Sequence, residues 1–224
     1  MDVNLFDNFD LVVSTLALGF WNTVWISALS FLIALAIGAL LAMMHVSPAP
    51  PARWVATAYT TIFRNVPLLA VLIVFYFGLT QIGIGQDLDG WAWAVIGLSA
   101  YTGAFVGETL RSGINSIPLG QAEAARSIGL TFGQSLSSVV LPQAFRAVIP
   151  PLGSLGTALV KNSALALVVG VNEIAGQSRY LISERNGEVS IWAVITGVVL
   201  CYLIINLPAS YLIRIAERRS TIMR

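Results

Sequence analysis

The chain has 224 residues, 57% of them hydrophobic and 10% charged, with a formal net charge of +1 and a mean hydropathy of +0.81. A water-soluble domain carries roughly 25% charged residues, so lipid rather than water covers most of this surface, and so few charges give no electrostatic footprint for nucleic acid. Single copies of cysteine (Cys201), histidine (His45) and lysine (Lys161) exclude an internal disulfide, a His/Cys zinc site and a Walker-type Gly-Lys-Ser/Thr phosphate loop.

A spanning helix needs about 20 mostly apolar residues. Residues 16–44 form the first candidate; Asp2, Asp7 and Asp10 precede it with no basic residue, unlike a secretory signal. The SPAPP run at 47–51 ends it, because successive prolines do not continue a helix. Residues 66–84 form the second candidate, closed by the loop GIGQDLDG, and 91–109 the third. A polar interlude at 121–141 follows. The fourth, 145–171, contains Pro150, Pro151, Gly153 and Gly156 and is predicted to be a broken helix. The mixed polar stretch 172–188 predicts a short surface helix, and 191–213 is the fifth span. The expected fold class is an all-α membrane protein of five transmembrane helices in one domain, 1–224.

Basic residues of short loops set orientation. With the N-terminus outside, Arg53, Arg64, Arg111, Arg126, Arg146, Arg214, Arg218, Arg219 and Arg224 fall inside, against Arg179 and Arg185 outside. The C-terminus and the interlude are then cytoplasmic. Trp21, Trp25, Trp91, Trp93 and Trp192 lie near span ends and read as interfacial anchors.

Within the interlude, Ala122, Ala125, Gly129 and Phe132 recur at helical spacing. They predict a narrow face of small residues ending in one aromatic, with a turn at Gly133. Such a helix either lies against the bundle or docks into a partner.

Glu123-Ala124-Ala125, then Gly129, then Leu141-Pro142 resembles the EAA motif of ABC importer permeases. The stretch GINSIPLG before it, Phe63-Arg64-Asn65-Val66-Pro67-Leu68-Leu69 and Lys161-Asn162-Ser163-Ala164-Leu165 are similar to segments of the polar amino-acid uptake family of these permeases. Asn65, Val66 and Ala164 depart from its commonest residues. Taken over the whole chain, the resemblance is to permeases of glutamate-uptake systems. It implies a type I ABC importer fold in a bacterial cell membrane, with 121–141 as a cytoplasmic coupling segment between spans 3 and 4. Glu123, Ala124, Ala125, Gly129, Phe132, Leu141 and Pro142 would then engage a separate ATPase subunit. That subunit would hold ATP and Mg, leaving no cofactor and no enzyme activity in this chain. The further partners implied are an extracytoplasmic solute-binding protein and a second permease subunit, identical or similar. The substrate implied is a polar amino acid: glutamate, or glutamine, histidine or arginine.

Charged residues inside spans are costly and mark function. Lys161 lies fifteen residues, about 22 Å of helix, beyond Arg146. With Asn162 and Ser163 it is a candidate lining of a substrate path; pairing with an acid, or snorkelling, is the alternative. Arg64, beside Pro67, is a second path candidate or a headgroup contact. Glu108 and Arg111, three residues apart, predict a surface pair. Two other classes are weighed. A secondary transporter would show paired broken helices, and only one break is evident. An intramembrane Ser154–Lys161 hydrolase would need a hydrogen bond across seven residues, about 10.5 Å of helical rise.

Overall fold

The computed structural model describes residues 8–185 and 187–221, without the side chains of 219–221. Asp2, Asp7, Arg224 and the Arg219 side chain, named above, lie outside the described residues.

Small residues recur every four positions along α1 (Phe9–Val46), at Ser30, Ala34, Gly38 and Ala42, and along α4 (Gly90–Asn115), at Ser99, Gly103 and Gly107. A spacing of four places each set on one helix face, and the two faces pack together. A Cβ on Gly38 would stand 2.3 Å from Val106 Cγ1 and 2.8 Å from the Gly107 nitrogen; one on Gly103 would stand 2.7 Å from Ile37 Cγ2. In lipid, helices associate through such close contact rather than through apolar burial. Ser99 Oγ adds a hydrogen bond to the Ser30 carbonyl, 3.2 Å away.

The other helices build on this pair. α2 (Pro50–Asn65) starts with two prolines in its first turn, where missing N–H groups are not needed. The SPAPP run therefore ends α1 and also starts a helix that the periodicity of the oily stretches does not reveal. α3 (Leu68–Ile73) continues as a π-helical turn, Val74–Leu79. Leu68 and Leu72 of α3, Ile26 of α1, Ala94 and Leu98 of α4, and Val169 share one buried cluster. α7 (Leu141–Asn162) crosses α4 at Gly113, whose Cβ would meet Val148 Cγ1 at 2.0 Å, and crosses α9 (Ile191–Thr221) at Gly153, beside Ile213.

By length and composition three segments can cross a membrane: Phe9–Val46, Phe132–Val169 and Ile191–Arg218. The bent pair Pro50–Asn65 and Leu68–Leu79 makes a fourth when counted as one. α4 falls outside this count although it has 26 residues. Its small and polar seam residues lower its hydropathy, and its neighbours shield it from lipid.

Two sequence expectations change. The predicted break at Pro150 and Pro151 does not occur: α7 runs through both prolines and tightens to a 3₁₀ helix only at Ser163–Val169. The sharp break is instead at Val66-Pro67, where α2 and α3 meet at 108°. Trp93 is also no interfacial anchor. It is buried and donates from Nε1 to the Gly85 carbonyl at 3.3 Å, whereas Trp21, Trp25, Trp91 and Trp192 are exposed.

Between the last two spanning segments, Glu173 caps α8 (Ile174–Glu184) and is fully buried. Its Oε1 accepts from Gly176 N–H at 2.8 Å, and its Oε2 accepts from Tyr202 Oη at 3.2 Å and from Thr23 Oγ1 at 3.5 Å. Thr23 Oγ1 in turn accepts from Ile174 N–H at 3.1 Å. One carboxyl thus ties α8 to α1 and α9, and the short helix expected at the surface has a buried face at Ile174, Gly176 and Leu181. Burial holds this carboxyl above the usual carboxylate range, against the hydrogen bonds from Ala175, Gly176, Tyr202 and Thr23 that favour the charged form.

Two predictions follow from this packing. Gly→Ala in a helix interior normally stabilises by about 1 kcal/mol. Gly38→Ala is expected to reverse that sign and to lower the melting temperature of the detergent-purified protein, by about 1–3 kcal/mol of overpacking. Gly120→Ala, whose Cβ meets nothing within 4 Å, does not. Secondly, the folded chain holds the Glu173 proton more tightly than the unfolded chain. Stability contributed at this site is therefore lost as pH rises from the ordinary carboxylate range through the raised value. Melting curves over that window are expected to show the slope in the wild type and to flatten in Glu173→Gln.

Candidate functional site

The break at residues 65–67 arises from local chemistry. Pro67 sits at φ −60° and Val66 is extended, at φ −101° and ψ 134°, because the residue before a proline avoids the helical region. Arg64 occupies the last turn of α2, at this break. Its guanidinium lies 3.9 Å from Glu108 Oε2 and 6.0 Å from the ring centre of Phe105. Glu108 is gripped by Arg111 of the same helix, Nη2 to Oε1 at 2.5 Å and Nε to Oε2 at 3.2 Å, so the predicted pair forms as a two-pronged fork. Arg64 and Glu108 of this group line a cleft of about 390 Å³ between α4 and α7, together with Phe105, Ser112, Ser116 and Pro151.

The structure does not bring all the sequence-predicted path residues into this cleft. Arg64 lines it; Pro67, Lys161, Asn162 and Ser163 do not. Lys161 ends α7, with an exposed side chain that enters none of the ion pairs among the described residues. Because α7 is unbroken, the count of about 22 Å from Arg146 along the axis applies. Ser163 is buried and donates to the Val160 carbonyl at 2.8 Å.

The interlude forms two short helices, α5 (Leu119–Ser127) and α6 (Phe132–Ser135). Gly129, at φ 94°, ends α5 in the left-handed conformation that glycine adopts without strain. Its N–H donates to the Arg126 carbonyl at 3.0 Å and that of Leu130 to the Ala125 carbonyl at 3.2 Å, the pairing of a Schellman cap. The single face expected through Ala122, Ala125, Gly129 and Phe132 is therefore not formed. Ala125 points inward and is buried, Gly129 turns the chain, and Phe132 opens the next helix. The turn lies at Gly129 rather than Gly133, which is helical. Thr131 and Gln134 close a capping box at the start of α6. Glu123 and Ala124 are exposed.

From α6 the chain passes through a π-helical stretch, Leu136–Val140, directly into α7, where Leu141 and Pro142 form the first turn. Phe132–Val169 is thus one near-continuous helical run of 38 residues. Gln143 of α7 donates to Gln121 of α5 at 2.5 Å, which joins α5 to that run. Three large apolar side chains stay open on this segment: Leu119 (80% exposed), Ile128 (82%) and Phe132 (71%).

Sequence reasoning missed α2 and the role of Glu108. The amphipathic pattern of 50–65 was available, but so was the competing reading of a proline-rich loop. No local signal places Glu108 beside Arg64, 44 residues earlier.

Residues 11–222 match the model of the family described as binding-protein-dependent transport system inner membrane component. The chain is 37% identical to the probable glutamine ABC transporter permease protein GlnM of Bacillus subtilis (strain 168), over 96% of this chain and 95% of that protein. It is 44% identical to the glutamate transport system permease protein GluC of Corynebacterium glutamicum, over 69% of this chain and 72% of that one. Among solved structures, an amino acid ABC transporter crystallised with histidines superimposes with a TM-score of 0.86 at 28% identity, over 98% of this chain and 100% of the other.

The Gly129 cap gives a prediction that separates conformation from contact. Gly129→Ala places a β-carbon in a left-handed turn, at about 1–2 kcal/mol, and is expected to loosen the end of α5, read as faster amide hydrogen exchange over 124–130. Gly129→Asn, which tolerates this conformation, is expected to exchange close to the wild type.

Proposed function

The chain belongs to the family of binding-protein-dependent transport system inner membrane components, as a multi-pass inner-membrane permease of an amino-acid ABC importer, and from that premise we propose that it carries glutamate. It is not catalytic and carries no cofactor; a separate ATPase subunit supplies ATP hydrolysis. The further partners we assign are an extracytoplasmic solute-binding protein and a second permease subunit, identical or similar, because one small bundle does not enclose a path. In this reading the single domain 1–224 crosses the membrane five times with its N-terminus outside. α4 and the bent α2–α3 pair are counted as spans, and 121–141 is the cytoplasmic coupling segment of a type I importer.

One observation carries the coupling role: Leu119, Ile128 and Phe132 remain open to solvent on the most polar segment of an oily chain. Exposed apolar side chains on a polar segment mark a protein contact. We assign Glu123, Ala124, Gly129 and Phe132 to the surface that meets the ATPase, with Ala125 buried beneath it to seat α5. Leu141 and Pro142 start the helix that carries its motion. Phe132 and Lys161 lie on one helical run, 29 residues or about 43 Å apart. A push at one end therefore moves the other as a rigid body, as in domain rocking.

Glutamate is supported by two cations, Arg64 on the cleft wall and the exposed Lys161, and by the likeness to a glutamate permease. The likeness to a probable glutamine permease makes glutamine the competing substrate. Lys161, Asn162, Ser163, Arg64 and Pro67 are the path residues in this reading.

The test is uptake into proteoliposomes by the complete importer with its ATPase and binding protein. Glutamate is expected to enter in preference to glutamine. Lys161→Met is expected to cut glutamate uptake about tenfold while the ATPase still co-purifies; undiminished uptake removes Lys161 from the path. Phe132→Asp is expected to abolish co-purification of the ATPase, and retention of the complex overturns the coupling assignment.

A further inference from the structure

We propose that the cleft between α4 and α7 recognises both charged groups of an amino-acid backbone: Arg64 takes the carboxylate, the Ala147 carbonyl takes the ammonium, and Glu108 with Arg111 positions Arg64. This rests on the amino-acid-importer reading above and assigns it a site.

The charge count comes first. Two guanidiniums share one carboxylate, so the group carries one positive charge that no neighbour in it neutralises. The surplus resides on Arg64. Both Glu108 oxygens are taken by Arg111, at 2.5 and 3.2 Å, whereas Arg64 stands off at 3.9 Å, beyond hydrogen-bond length. Its donors thus lack a carboxylate at bonding distance, on the wall of a cleft of about 390 Å³. A guanidinium fork matches a carboxylate in two-pronged geometry. Glu108 attracts Arg64 from one side and the Phe105 ring from another, which fixes it without using up its donors.

The opposite wall supplies an acceptor. In α7 the Ala147 carbonyl would accept from the N–H of residue 151, or in a tighter turn from that of residue 150. Both are prolines and have no N–H. Ala147 and Pro151 both line the cleft. A helix carbonyl stripped of its donors and bordering a cavity needs a partner from that cavity, and an ammonium supplies one. Ser116 reinforces the polarity: its hydroxyl donates to the Gly113 carbonyl at 2.7 Å, so its oxygen still accepts. Thus the double proline, which does not break α7, acquires a function.

The test measures binding of radiolabelled glutamate to the purified permease–ATPase complex in detergent, without the binding protein. Competitors are 4-aminobutyrate, which lacks the α-carboxylate, and N-acetylglutamate, which lacks the ammonium. Both are expected to compete poorly against the wild type. Arg64→Gln is expected to weaken glutamate about tenfold or more and Arg64→Lys less. Pro151→Ala restores an N–H for the Ala147 carbonyl and is expected to narrow the gap between glutamate and N-acetylglutamate. Glu108→Gln, which loosens the hold on Arg64, is expected to raise KM for uptake several-fold with little change in kcat. Co-purification of the ATPase shows that each variant has folded. Wild-type binding by Arg64→Gln together with unchanged ligand discrimination by Pro151→Ala overturns the subsite. If the wild-type importer takes up no amino acid at all, the transport reading itself falls, and this site with it.

Discussion

The close contact between α1 and α4 is the constraint on which the other helices depend. Lipid offers no reward for burying apolar surface between helices, so two of them stay together only where their backbones approach. Gly38 meets Val106, Gly103 meets Ile37 and Gly107 meets Leu41 with little or no room for another carbon atom. Once α4 is fixed, its other sides define the rest. α3 packs beside Leu98, and α7 crosses at Gly113. Arg64 is held over Phe105 and Glu108, which flank the last seam glycine, Gly107. The wall of the cleft is thus an extension of the seam.

Against that fixed pair, continuity and interruption are distributed in a way that suits a moving part. The chain is nearly unbroken from Phe132 to Val169, with no loop between α6 and Lys161. The sharp bend lies instead at Val66-Pro67, beside the cleft. The continuous α7 run thus contrasts with the two-residue joint between α2 and α3. At the far side, Glu173 binds α8 to α1 and α9 through one buried carboxyl.

Much of the fold was legible because long apolar runs have few alternatives. Residues 16–44 and 191–213 lie within α1 and α9. Misreadings arose where a residue's local rule competes with packing. Pro150 and Pro151 suggest a break by the loss of two N–H donors. Yet α7 is clamped at Gly113 by α4 and at Gly153 by α9, and the helix continues across them. Trp93 carries the composition of an interfacial anchor but lies in the core, because the Gly85 turn folds over it.

The sequence by itself determined that this chain lies in lipid and holds no phosphate loop. It also marked 121–141 as a polar interlude in an oily chain. These properties follow from composition and from spacing within one helix, which local sequence specifies completely. Only the tertiary structure decided that Arg64 stands over Glu108, that Lys161 lies apart from both, and that Ala147, stripped of its donors, lines the same cleft. Those relations join residues separated by tens of positions. They depend on how closely α1, α4 and α7 pack, and that distance is set by facing surfaces no single stretch of sequence contains.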